Sequence, residues 1–132
     1  MWFRLVVFLA TSAGTAIAQD ANVKDGRDLF LYFCAECHGK DAASVGPMAE
    51  MLAIEPPDLT GLSERNAGAF PIEFVATQVD GREPTDVHSF MPVFGQSLDT
   101  DQHVAIALPS GQPMLVSQHL ADLIAYLQTV QR

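Results

Sequence analysis

Cys34-Ala35-Glu36-Cys37-His38 sets two thiols three residues apart, with an imidazole immediately behind the second. C-x-x-C-H is the spacing that attaches a c-type haem. One short helical turn then serves three atoms. Both thiols add across the porphyrin vinyl groups as thioethers, and His38 follows beneath the ring with its imidazole facing the iron. Five residues alone also fit a thioredoxin-like dithiol or half of a zinc site. Both cysteines of the chain lie in this motif, so four-cysteine zinc coordination is excluded and no disulfide framework exists. A dithiol oxidoreductase would need a βαβ pattern around the motif, and none is evident.

The start of the chain agrees with an exported protein. Met1-Trp2-Phe3-Arg4 is a short basic lead, followed by an apolar run over 5–10 and a small-residue stretch ending Ala16-Ile17-Ala18. This is the pattern of a signal peptide over residues 1–18, cleaved before Gln19. Thr11, Ser12, Gly14 and Thr15 dilute the run, which is too short to span a bilayer. Residues 19–132 then form one small domain, with a modest core that a buried porphyrin would enlarge. The full chain has 16 acidic and 7 basic residues, a net charge of −9. Cleavage removes Arg4 and no acidic residue, so the mature chain is more acidic still. Such a charge argues against nucleic acid and anionic membranes as partners. It favours a redox protein with a basic docking face.

Val23, Arg27, Phe30, Phe33, Cys34 and Cys37 recur at helical intervals, with Gly26 on the same side. This spacing predicts a first helix that runs into the motif and stops at Gly39. Val116, Leu120, Leu123, Leu127 and Val130 predict a last amphipathic helix capped by Ser117. Between them, 48–53 and 71–79 read as short helices, the latter with Pro71 in its first turn. Residues 104–108, a turn at 109–112 and a return at 113–116 read as a β-hairpin.

Gly26-x-x-x-Phe30-x-x-x-Cys34-x-x-Cys37-His38 resembles the N-terminal signature of class I (monohaem, His/Met-ligated) bacterial c-type cytochromes. Leu123-Ile124-Ala125-Tyr126-Leu127 resembles the C-terminal helix of the same family. The resemblance implies an all-α cytochrome c fold, its terminal helices crossing over one haem, with short intervening helices and a small β-hairpin before the last. In that fold Gly26 and Phe30 meet Leu123 and Tyr126. It also implies one covalently attached haem c, with Cys34 and Cys37 as thioethers and His38 as proximal ligand.

Met91-Pro92-Val93-Phe94-Gly95 resembles the family's methionine–proline loop and makes Met91 the sixth ligand. A thioether is a soft, neutral donor that favours Fe(II) and raises the reduction potential. Met48 and Met51 are expected to pack in the core. Met114 lies too close to the last helix to wrap the distal face. His88, His103 and His119 permit a bis-histidine site in principle. By resemblance, the Pro47 carbonyl accepts a hydrogen bond from the proximal imidazole. Arg65 and Asn66, in a loop resembling a bacterial subgroup, could reach a haem propionate, since a guanidinium pairs well with a carboxylate. Many relatives place a tryptophan in the methionine loop; Phe94 stands there instead.

The implied function is a periplasmic one-electron carrier cycling Fe(III) and Fe(II), with no catalytic residue. The same chemistry would serve an electron-accepting subunit of a periplasmic dehydrogenase or oxidase complex. A five-coordinate haem for gas or peroxide is the other alternative, and Met91 argues against it.

Overall fold

The computed structural model describes residues 21–82 and 91–132. The signal-peptide segment and His88 lie outside the described residues. Asn22 opens the first helix: its side-chain oxygen accepts from the amides of Lys24 (3.0 Å) and Asp25 (3.3 Å). That satisfies donors which the first turn leaves without intrahelical partners. Helix α1 spans Val23–Phe33 and a single-turn α2 spans Ala35–His38. The sequence predicts one continuous helix, but the chain breaks at Cys34, where α1 ends and α2 begins. Gly39 closes α2 at φ 72°, a conformation that favours a residue without a Cβ.

Short turns follow at Ala49–Met51 and Leu59–Gly61, then α3 (Leu62–Arg65) and α4 (Ile72–Asp80). The hairpin is present as β1 (His103–Ala107) and β2 (Pro113–Ser117), antiparallel, with Ala105 opposite Leu115. Its inward residues Val104, Ile106 and Met114 pack against the core. Helix α5 spans Gln118–Thr129 and is capped by Ser117, whose hydroxyl accepts from the Leu120 amide at 3.2 Å. Val116, counted both on the face of that helix and in the return at 113–116, belongs to the hairpin and is fully buried.

Helices α1 and α5 pack directly on each other, and Gly26 is the reason they come so close. A Cβ on it would lie 1.9 Å from the Asp122 carbonyl oxygen. One turn on, the fully buried Phe30 ring meets Tyr126 with centroids 5.3 Å apart. Asp122, itself buried, accepts from the Asn22 amide at 2.7 Å and pins the start of α1 to α5. Phe30, Leu120, Leu123 and Leu127 form the centre of the core, each adding about 2 kcal/mol of burial. The expected all-α cytochrome c fold with its small hairpin is the fold observed.

Met48 and Met51 do not pack in this core. Both are exposed, Met51 by 77%, because the expected helix over 48–53 shrinks to the Ala49–Met51 turn and has no second turn to bury an apolar face.

Candidate metal centre

Beside the α1–α5 contact lies a cavity of about 630 Å³, the scale of a site for a cofactor-sized ligand. Cys34, Cys37 and His38 border it, as do Met91 and Phe94 from the loop after α4. Elsewhere its lining is largely apolar, with Phe30, Val75, Val79, Leu123 and Leu127 contributing, and Glu55 and Gln78 add polar side chains. The motif reaches the cavity because α2 is a single tight turn. Its amides bond back to Cys34, with His38 N to Cys34 O at 2.9 Å.

His38 is almost wholly buried, and its Nδ1 lies 3.3 Å from the Pro57 carbonyl oxygen. A carbonyl only accepts, so Nδ1 carries the proton and Nε2 keeps the lone pair that can bind a metal. Burial lowers the imidazole's pKa; the bond to Pro57 opposes that but is the smaller effect. The ring is therefore neutral at pH 7, as a ligand must be. The Cys34 thiol is pushed up to about 12, chiefly by burial and then by the neighbouring Cys37. In the chain before attachment that sulfur is a thiol rather than a thiolate.

The hydrogen bond assigned to Pro47 by resemblance belongs to Pro57. Pro47 is exposed and outside the cavity. Its neighbours cap α2 instead: the Gly46 amide donates to Cys37 O (3.0 Å) and the Met48 amide to Glu36 O (2.8 Å). Pro57 is held by a network that closes the chain on itself. Asp58 caps the following turn through the Thr60 amide (2.8 Å) and hydroxyl (2.6 Å) and pairs with Arg132. Gln131 donates to Leu59 O (2.8 Å) and accepts from the Ser63 amide (2.9 Å). The sequence signal for this was Asp58-x-Thr60 after two prolines, a capping pattern; nothing in it pointed to the C-terminus.

Arg65 and Asn66 are not brought to the cavity. The Arg65 guanidinium donates to the Asp58 carbonyl and the Asn66 amide donates to Ala69 O at 2.8 Å, so both serve their own loop. Met91 does reach the cavity. Its loop is fixed to the end of α4: the Phe94 amide donates to Val79 O at 2.8 Å, and Gly95 packs against Asp80. A Cβ at Gly95 would lie 2.5 Å from the Asp80 carbonyl oxygen. Phe94, in the place of the expected tryptophan, sets its ring edge-on to Phe33 at 5.9 Å. Met114, His103 and His119 lie outside the cavity. His103 faces Asp99 at 3.3 Å.

Two adjacent sulfurs, a neutral buried imidazole of fixed tautomer and an apolar cavity of this volume suit a covalently held porphyrin. A bare metal ion is poorly served: among the described residues no group of three or more His, Cys, Asp or Glu side chains could hold one. The family model for cytochrome c matches residues 23–131. The chain belongs to the cytochrome c family: an electron-transfer protein with one covalently attached haem c, not a catalytic enzyme. No curated protein and no solved structure matches it. Among the described residues no helix is long and apolar enough to cross a membrane.

Proposed function

We propose that this chain is a class I, His/Met-ligated cytochrome c of bacterial type, exported to the periplasm after cleavage before Gln19, which shuttles single electrons between redox proteins. The observation that carries the reading is the meeting of His38 and Met91 in one apolar cavity bordered by Cys34 and Cys37. Cys34 and Cys37 would hold the haem as thioethers, and His38 and Met91 would bind its iron. When bound, the haem supplies reversible one-electron chemistry between Fe(III) and Fe(II).

The chain's own residues do the rest. Pro57 fixes the proximal imidazole and raises its basicity as a ligand. The α4-anchored loop holds the Met91 thioether in place, which matters because sulfur binds Fe(III) weakly. The leucines and phenylalanines around the cavity exclude water and so resist charge build-up on oxidation. The acidic surface favours a partner with a basic face, and electron exchange with that partner slows as salt rises.

The test is the visible spectrum of protein matured with haem. The oxidised wild type shows a weak band at the red edge, and Met91→Ala loses it while keeping the covalent haem. Survival of that band in Met91→Ala overturns the distal assignment. Rapid carbon monoxide binding by the reduced wild type at neutral pH overturns it as well.

A further inference from the structure

Pro57 owes its place to the residues that follow it. The peptide groups of 58–60 are held from several distant parts of the chain. The Leu59 amide donates to the Ala42 carbonyl at 2.8 Å, and the Leu59 carbonyl accepts from Gln131 Nε2 at 2.8 Å. The Asp58 carbonyl takes the Arg65 guanidinium, and the Thr60 carbonyl takes the Arg132 amide at 3.0 Å. Ala42 is fully buried at φ 60°, a left-handed conformation that a residue with a Cβ adopts only at a cost. Such strain persists where the surroundings over-determine the backbone.

Gln131, just past the end of α5, gathers these ties in one side chain. Its Nε2 donates to the carbonyls of Leu59 and Leu127, both at 2.8 Å, and its Oε1 accepts from the Ser63 amide at 2.9 Å. The Leu127 bond satisfies a carbonyl in the last turn of α5, as a helix cap would. The other two reach residues 72 and 68 positions back along the chain, which capping α5 does not require. What they hold in place is the segment that carries the partner of His38. That contact, 3.3 Å from Nδ1 to the Pro57 oxygen, is long for a hydrogen bond. A small displacement of Pro57 therefore decides whether the bond is kept or lost. Gln131 does not line the cavity, whereas Leu59 and Pro57 do.

We infer that Gln131 is a positioning residue for the proximal ligand: by holding the Leu59 carbonyl it keeps Pro57 within reach of His38, and so sets the reduction potential. This role presupposes His38 as an axial ligand, as proposed above. A carbonyl on Nδ1–H leaves more electron density on Nε2, which makes the imidazole a stronger donor and favours Fe(III). Releasing Leu59 lets the Pro57 carbonyl draw away from Nδ1. Nε2 then donates less, and the balance moves toward Fe(II). The effect of Gln131 passes through Leu59 and Pro57, and leaves Met91 on the opposite side as it was.

Gln131→Met keeps the length of the side chain and removes these hydrogen bonds. Thr129→Val is its control: it removes the bond from the Thr129 hydroxyl to the Tyr126 carbonyl (2.6 Å), loosening the same end of α5 without touching Leu59. Each holoprotein is titrated potentiometrically. Gln131→Met shifts the equilibrium about threefold toward Fe(II), roughly 28 mV at about 59 mV per tenfold for one electron. Thr129→Val leaves the potential where it was. In the reduced ¹⁵N-labelled holoprotein the His38 Nδ1 proton signal moves upfield and exchanges faster in Gln131→Met, and stays in place in Thr129→Val. Gln131→Asn, its amide drawn back by one methylene, moves both readouts the same way and serves if Gln131→Met does not accumulate. The red-edge band persists throughout. An unchanged potential in the Gln131 variants, an equal shift in Thr129→Val, or an unmoved Nδ1 proton overturns the positioning role while leaving the carrier reading intact. Loss of the red-edge band puts the shift on the distal side and overturns the role as well. A wild type without haem absorbance overturns the carrier reading and the positioning role with it.

Discussion

The two sides of the cavity are built in different ways. On one, Cys34, Cys37 and His38 occupy five consecutive residues on a single turn, and the helix before them is locked to α5 by Gly26 and Phe30. On the other, Met91 sits in a loop whose contacts among the described residues include the Phe94–Val79 hydrogen bond and the seating of Gly95 on Asp80. The first side is fixed by local spacing and by burial of large side chains. The second depends on a few backbone contacts between distant segments. Damage to the first therefore costs global stability, and damage to the second costs ligation.

Phe30→Ala makes the sharpest break. It empties a fully buried ring site between the terminal helices, and about 3–5 kcal/mol of stability goes with it, read as a lower denaturant midpoint. A loss under about 1 kcal/mol means the helix contact is not the centre of the fold. Gly26→Ala comes next. The new Cβ meets the Asp122 backbone, which cannot move aside as a side chain would, so about 2–3 kcal/mol is lost as the helices part. Restoring Gly26 stability by any second change on the distal loop alone contradicts the separation of the two sides.

Gly95→Ala tests the other region. Pushing the loop off Asp80 costs about 1 kcal/mol but weakens the red-edge band well before the protein unfolds. If band and fold are lost together on titration with denaturant, the distal side is no less firmly held than the proximal one.

The smallest effect is on pH. The Thr60 hydroxyl chiefly holds the Asp58 carboxyl below its ordinary value of 3.8; desolvation, next in size, opposes it, and the Thr60 amide, Arg132 and Arg65 add smaller lowering effects. A depressed folded value gives stability that is present above 3.8 and lost as pH falls through the lower folded value. Asp58→Asn therefore lowers the midpoint slightly at pH 7, and the difference vanishes in strong acid. An unchanged difference at low pH removes Asp58 from the support of Pro57.

How much of this was legible differs between the two sides. The thiols, the imidazole and the terminal helices were all readable, because C-x-x-C-H and 3.6-residue periodicity are local patterns. Met91 was readable only through its likeness to a known loop. The imidazole's partner was misread: Pro47 is nearer in sequence, but its segment is occupied in capping α2, and Pro57 arrives from a loop tied to the C-terminal residues. Arg65 and Asn66 were misplaced for the same kind of reason. Their side chains had backbone carbonyls within their own loop to satisfy, and spacing does not reveal such competition. Met48 and Met51 were expected inside because methionine is apolar, yet too short a turn carried them to the surface.

By itself, then, the sequence determined what is set by neighbours along the chain: the attachment turn, the capped helices at each end, the hairpin and the acidic charge. Tertiary structure decided which carbonyl meets His38 and where Gln131 and Arg132 close the chain. The physical reason is range. Helical periodicity and capping act within a few residues, whereas a hydrogen bond or a shared wall between distant segments exists only once the chain has packed.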